Sequence, residues 1–271
     1  MNLNQPPIVL VLAGNDPCGG AGLCADIQAL ASHGCHAAPV ITCITIQNTI
    51  HLLDNFPLSG AQVATQAQAV LVDMPIAAIK IGLLGSVEII EAIKPVLCQY
   101  SSLPVVLDPV LAAGSGYSLA DVYVRQAIIK ELLPLIQIIT PNSEEVRLLT
   151  GKSQIDAAAA DLINAGCSFV CVTGTHEDTP LVVNTLYTQG QKPQSWQWPR
   201  LPNQYHGSGC TFAASLAGLL AQGKEMNWAV YEAQRYTWTS LQYGYQAGKG
   251  QILPNRLYQQ ANYLSSERER E

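Results

Sequence analysis

Short apolar runs recur along this chain, each followed by a turn and then by a stretch with helical spacing. "IVLVLA" (8–13) leads to "GLCADIQALASHG" (22–34), a helix ending at Gly34. "APVITCIT" (38–45) precedes helix-like "AQVATQAQAVLVD" (61–73), and "AAIKIG" (77–82) precedes "SVEIIEAIKPVL" (86–97), with Ser86 as N-cap. "PVVLDPV" (104–110), "IQIIT" (136–140) and "CSFVCVTG" (167–174) continue the series. Strands this short and this continuously apolar are buried on both faces, which requires a parallel sheet with helices on both sides. The expected fold is three-layer α/β with a mostly parallel central sheet. "LVVNTLYT" (181–188) and "SWQWP" (195–199), separated by "QGQKP", add a small β-hairpin, and the chain is mostly helical from Gly207 onward. No linker or composition break divides residues 1–271, so one domain is expected, with a frayed charged tail at 265–271.

Hydrophobic residues are 48% of the 271 and charged residues 13%, which provides for a large core and excludes a disordered chain. A net charge of −6 without a Lys/Arg cluster argues against nucleic acid as a partner. The first apolar run is short and lacks a basic region before it, so neither a signal peptide nor a membrane span is expected. The eight cysteines show no close CxxC pair and no paired spacing with histidine, and read as reduced thiols of a cytoplasmic protein.

Ligands of an open parallel sheet bind outside the carboxyl ends of its strands. Seven loops rich in Gly, Asn, Asp or Ser fall there: "AGNDPCGGAG", "TIQNT", "KIGLLGS", "LDPVLAAGSGYSL", "TPNSEEVRLLTG", "VTGTH" and "HGSGCT". The last opens an apolar helix in which Leu216, Leu219 and Leu220 recur at helical spacing. A glycine turn at a helix N-terminus exposes backbone N–H groups and suits an anion, although it also serves as a tight turn before a buried helix. Asn142 and Glu145 lie three apart at a helix start, which fits both an N-cap with acidic first turn and a pair reaching a metal. Asp108 closes a strand before Pro109, as a turn former or as a carboxylate beside a metal or phosphate.

These loops, in this order, resemble the ribokinase superfamily, and within its vitamin-kinase branch the hydroxymethylpyrimidine/phosphomethylpyrimidine kinases of thiamine biosynthesis. "AGNDPCGGAGLCAD" is similar to that family's AGxDPSGGAGxxAD, "IQNT" to AQNT, "KIGLL" to KIGML, "ITPNSEE" to ITPNxxE and "HGSGCT" to HGTGCT, and "VVLDPV" is shared. The resemblance runs from about Val9 to about Gly223. It implies a ribokinase-like fold, a phosphoryl transfer from ATP with Mg²⁺ to a small heteroaromatic alcohol, and a homodimer.

The resemblance also implies roles. Gly207, Ser208, Gly209 and Cys210 would form the anion hole for the transferred phosphoryl group, the two glycines being needed because a Cβ would block the phosphate. Cys210, favoured as thiolate at a helix N-terminus, would accept the substrate proton, or would merely pack while the N–H donors act. Asp108 and Glu145 would stand at the metal, and Asn142, Thr173 and Gly174 at the ATP phosphates. Gln47 would read the aminopyrimidine edge, Ala21, Leu83 and Val110 would line the ring pocket, and Asp26 would face its polar end. Thr173 stands where the family has lysine, Cys18 where it has serine and Leu83 where it has methionine. These departures leave open a pyridoxal or pyridoxine kinase on the same fold, or a non-catalytic binding protein.

Overall fold

The architecture is that of a computed structural model, which describes residues 5–112 and 116–259. The expected frayed tail lies outside the described residues. Nine strands form one sheet: β1 (Ile8–Asn15), β2 (His36–Gln47), β3 (Leu52–Pro57), β4 (Ile76–Ile81), β5 (Val105–Leu107), β6 (Ile138–Ile139), β7 (Phe169–Val172), β8 (Leu181–Thr188) and β9 (Gln194–Pro199). Their order is β3-β2-β1-β4-β5-β6-β7-β8-β9. The six from β2 to β7 run parallel, while β3 and the β8–β9 hairpin are antiparallel.

Period-two alternation along these strands builds two cores. Leu10, Leu12, Ile79, Ile81 and Leu107 point to one face, under α2 (Gly60–Leu71) and α3 (Val87–Gln99). Val9, Val11, Ala78 and Val106 point to the other, under α1 (Gly22–Ser32), α7 (Ser208–Ala221) and α8 (Met226–Gln242). Helix α7 is buried nearly all round, and Ala213, Ala214, Ala217 and Gly218 are small enough to let it lie close to its neighbours. The shorter helices α4 (Val122–Ala127), α5 (Ser143–Thr150) and α6 (Ile155–Asn164) complete the layers.

The parallel strands and the β8–β9 hairpin fall where the sequence placed them, and Ser86 caps α3 by accepting from the Ile89 N–H. Strand β3 was not expected. Its sequence LLDNFP carries polar residues mid-run, because it is an edge strand with most of its side chains exposed and needs no two-sided apolar pattern. Strands β5 and β6 are only three and two residues long, since the chain leaves the sheet as soon as it reaches the site loops.

Candidate active site

A cavity of about 830 Å³ runs along the carboxyl ends of the parallel strands and on to the β8–β9 hairpin. Of the candidate site residues, all but Asp26 and Gly174 border it, and Cys18 does not border it either.

Its centre is the start of α7. Gly207 is the N-cap, with φ 83° and no side chain to satisfy the helix's first N–H groups. The first intrahelical bond at this helix start runs from Thr211 N to Gly207 O, which leaves the N–H groups of Ser208, Gly209 and Cys210 outside the helical ladder. The two glycines turn out to serve different ends. A Cβ on Gly207 would collide with the Gly20 carbonyl, and the positive φ already disfavours one, so this glycine is required by packing and not by a phosphate. A Cβ on Gly209 would meet nothing closer than Asp108 Oδ1 at 3.8 Å, so the space beside Gly209 is open.

Bordering the cavity with this helix start are two carboxyl groups, buried Asp108 and half-buried Glu145. Burial raises the Asp108 pKa, and its Oδ2 has no hydrogen-bond partner. Glu145 closes a capping box on α5: its Oε2 accepts from Asn142 N at 2.9 Å while Asn142 Oδ1 accepts from Glu145 N at 2.8 Å. Burial, reinforced by the Asp108 charge, pushes Glu145 up to about 8. Two carboxyl groups, one of them buried with an orphaned oxygen and raising the pKa of the other, form a donor set suited to a hard divalent cation. The cap uses the Asn142 carbonyl oxygen, so both readings of this motif are compatible.

Cys210 departs from the expectation. Burial first, and the Asp108 carboxylate second, push its thiol above the ordinary range despite the helix N-terminus, so the thiol is the resting form. Asp26 also departs: it lies beneath the cavity, fully buried, and accepts from Lys80 Nζ at 2.9 Å. Burial pushes Asp26 up to about 6 against the pull of Lys80, which keeps it ionised at neutral pH. Burial opposes the charge on Lys80, but Asp26 above all holds its ammonium above the usual range. Lys80 Nζ is also 4.0 Å from Asp108 Oδ2. Sequence reasoning missed Lys80 as a site residue, although a lysine inside the apolar run "AAIKIG" is a visible signal.

At the β2 end, Leu83 and Val110 supply apolar wall, and Ala21, N-cap of α1, gives its N–H to Asp16 Oδ2 at 2.8 Å. His206 Nε2 lies 2.8 Å from the same oxygen. Burial works against the Asp16 charge, yet bonds from His206 and Cys18 hold it at about 2. One terminal atom of the Gln47 amide lies 3.0 Å from His206 Nε2 and the other 3.3 Å from Thr45 Oγ1. Thr45 gives its hydroxyl proton to the Asn15 carbonyl at 2.9 Å. The Gln47 carbonyl oxygen thus faces the Thr45 hydroxyl, and its amide nitrogen faces the His206 ring. Asp16 and His206 are further residues that sequence reasoning passed over; they sit in quoted loops but pair across 190 positions.

At the far end, Thr173 borders the cavity, with its backbone tied to Pro141 and Ser143. Gly174 does not: its N–H donates to Asn184 Oδ1 at 3.1 Å, and a Cβ there would strike the Val183 carbonyl. Its glycine is demanded by the approach of β8, not by a phosphate. Arg200, at the end of β9, donates to the carbonyls of Thr175, Glu177 and Thr179 at 2.8–2.9 Å and so places a cation against the loop after β7.

The family model for phosphomethylpyrimidine kinase matches residues 16–255. The chain belongs to that family. It is 35% identical over 254 residues to a hydroxymethylpyrimidine/phosphomethylpyrimidine kinase of Staphylococcus aureus (strain MSSA476), covering 91% of this chain and 92% of the relative. Among solved structures it superposes on the phosphomethylpyrimidine kinase of Clostridium difficile with a TM-score of 0.76 at 31% identity, covering 88% of this chain and 100% of the other. On a Bacillus subtilis pyridoxal kinase in an ADP complex the TM-score is 0.84 at 26% identity, covering 93% and 98%. The protein is thus a phosphotransferase with the ribokinase-like α/β fold, and the expectation of a non-catalytic binder gives way. No helix among the described residues is long and apolar enough to cross a membrane.

Proposed function

We propose that this kinase transfers a phosphoryl group from ATP to the hydroxymethyl group of 4-amino-5-hydroxymethyl-2-methylpyrimidine, to the monophosphate of that alcohol, or to both, in thiamine biosynthesis. The observation that carries this reading is the α7 start: N–H donors outside the helical ladder beside an open Gly209, in one cavity with Asp108 and Glu145. The Gln47 amide stands on β2 and Thr173 beside β7, five strand spacings away, about 24 Å. That span accommodates an acceptor ring at one end and a nucleotide at the other, with the phosphoryl group between them.

The N–H groups of Ser208, Gly209 and Cys210 would hold the transferred group and favour its developing charge. Asp108 and Glu145 would hold Mg²⁺, which supplies further charge stabilisation on the phosphate oxygens when bound. A protonated Cys210 thiol is a poor base. In a loose transition state the attacking hydroxyl releases its proton late, so positioning does most of the work. Lys80 sets the charge beneath the site, through Asp26 and Asp108. Leu83 and Val110 would exclude water from the ring.

Steady-state comparison of hydroxymethylpyrimidine, its monophosphate and pyridoxal as acceptors tests the assignment. A pyrimidine kinase shows its highest kcat/KM on one of the first two; preference for pyridoxal replaces this reading with the second. That second reading has an observation in its favour, the better superposition on a pyridoxal kinase. As a finer part of the same reading the protein works as a cytoplasmic homodimer. Its eight cysteines are all unpaired thiols, and Ile44, Ile46 and Phe56 form an exposed apolar face on β2 and β3.

Two expected results bear on the ends of the cavity. Gln47→Leu keeps the approximate volume but leaves the polar edge of the acceptor ring unpaired, which costs about 1–3 kcal/mol for each lost partner. Calorimetric titration of the alcohol reads this directly; unchanged affinity removes Gln47 as the reader. Thr173→Lys adds a cation where anionic oxygens gather. Acceptor phosphate is present only in the second transfer, so kcat/KM rises more for the monophosphate than for the free alcohol. If the natural protein is already fast on the monophosphate and the added lysine changes nothing, the missing charge is supplied elsewhere, and Arg200 is the cation in place to supply it.

A further inference from the structure

We propose that Asp16, Cys18 and His206 form a three-ligand binding site for a borderline-soft divalent cation of the Zn²⁺ class, separate from the Asp108–Glu145 carboxylates. One carboxylate oxygen, the Cys18 sulfur and one imidazole nitrogen lie within 4.8 Å of one another. Asp16 Oδ2 and His206 Nε2 are 2.8 Å apart. Two ligands of a tetrahedral Zn²⁺ stand roughly 3.3 Å apart, so a spreading of about 0.5 Å admits the ion between them. The three side chains leave the fourth position of a tetrahedral ion to solvent.

The donor set is what selects the ion. One sulfur, one imidazole nitrogen and one carboxylate oxygen suit Zn²⁺ or Co²⁺, whereas Mg²⁺ demands oxygen ligands. The Asp16 carboxylate is held in place by the N–H groups of Cys18 at 2.9 Å and Ala21 at 2.8 Å, the kind of outer support that orients metal ligands. Asp16 and His206 are buried, and a thiolate with a carboxylate cancels a dication, so the loaded site is neutral. On binding, the Cys18 thiol releases its proton to solvent and the neutral imidazole carries its proton on Nδ1; no electron moves. Cys18 is the residue that makes the set, in a loop where the family has serine.

Two of its ligands, Asp16 and His206, line the cavity beside Gln47, where the acceptor ring sits in the function proposed above. Resting on that reading, metal and acceptor alcohol exclude each other, and the site is an inhibitory one. The test titrates Co²⁺ into the full chain without nucleotide and follows thiolate-to-cobalt absorption in the near ultraviolet. The natural protein develops the absorption with one equivalent, Zn²⁺ abolishes it and excess Mg²⁺ does not. Cys18→Ser, checked for an unchanged circular dichroism spectrum, loses it; Cys24→Ser and Cys98→Ser keep it. Absence of the absorption in the natural protein, or its persistence in Cys18→Ser, overturns the site. Hydroxymethylpyrimidine added to the cobalt form bleaches the absorption. An absorption that depends on Cys18 but ignores the alcohol supports the metal site and overturns the placement of the acceptor beside Gln47.

Discussion

Gly209→Val leaves a folded protein that no longer turns over. The backbone at this position does not need glycine, since its φ is not positive and the nearest atom to an added Cβ is Asp108 Oδ1 at 3.8 Å, an ordinary contact. The valine side chain therefore enters the cavity without disturbing the core, and it enters between the α7 N–H groups and the carboxylates. A transferring phosphoryl group needs that same space. Losing a single oxyanion donor typically costs about 10²–10³ in rate, and blocking the hole costs at least as much, so kcat/KM falls by a factor of about 100 or more. Thermal melting within a few degrees of the natural protein checks that the fold survives. Gly207 provides the contrast: there φ is 83° and a Cβ meets the Gly20 carbonyl, so substitution attacks the fold itself. Near-normal turnover in Gly209→Val removes the helix start from the reaction.

The features read correctly from sequence are those set by local chemistry. Parallel strands declare themselves because two-sided burial leaves continuous apolar runs such as "IVLVLA", and the loops after them border one cavity because a parallel sheet gathers them at one end. Strand β3 was illegible because an edge strand bears no such pattern. What sequence does not carry is pairing at a distance. The Lys80–Asp26 pair spans 54 positions, so Asp26 was placed in the pocket although the lysine draws it underneath. The state of Cys210 depends on enclosure and on the Asp108 charge, which outweigh the helix N-terminus that a local reading sees. Gly174 looks like a phosphate loop glycine until β8 is present to require it.

Lys80→Met is expected to destabilise the protein by about 3–5 kcal/mol, because it leaves the Asp26 carboxylate buried without its cation. Lys80 is fully buried, on the sheet face beneath α7, and 2.9 Å from an equally buried Asp26. Urea denaturation at neutral pH measures the loss. The size of that loss does not say what the pair is for, since removing one partner of any buried pair is costly. Replacing both separates the two roles. Lys80→Met combined with Asp26→Leu exchanges the ion pair for apolar groups of similar volume, a change that is often neutral for stability. Most of the lost stability then returns. Asp108 still lacks the cation 4.0 Å from its Oδ2, so the charge beneath the helix start is no longer balanced and kcat stays low while the fold is restored. Stability and turnover that recover together reduce Lys80 to a structural residue. Recovery of stability alone places its charge in phosphoryl transfer, acting through Asp108.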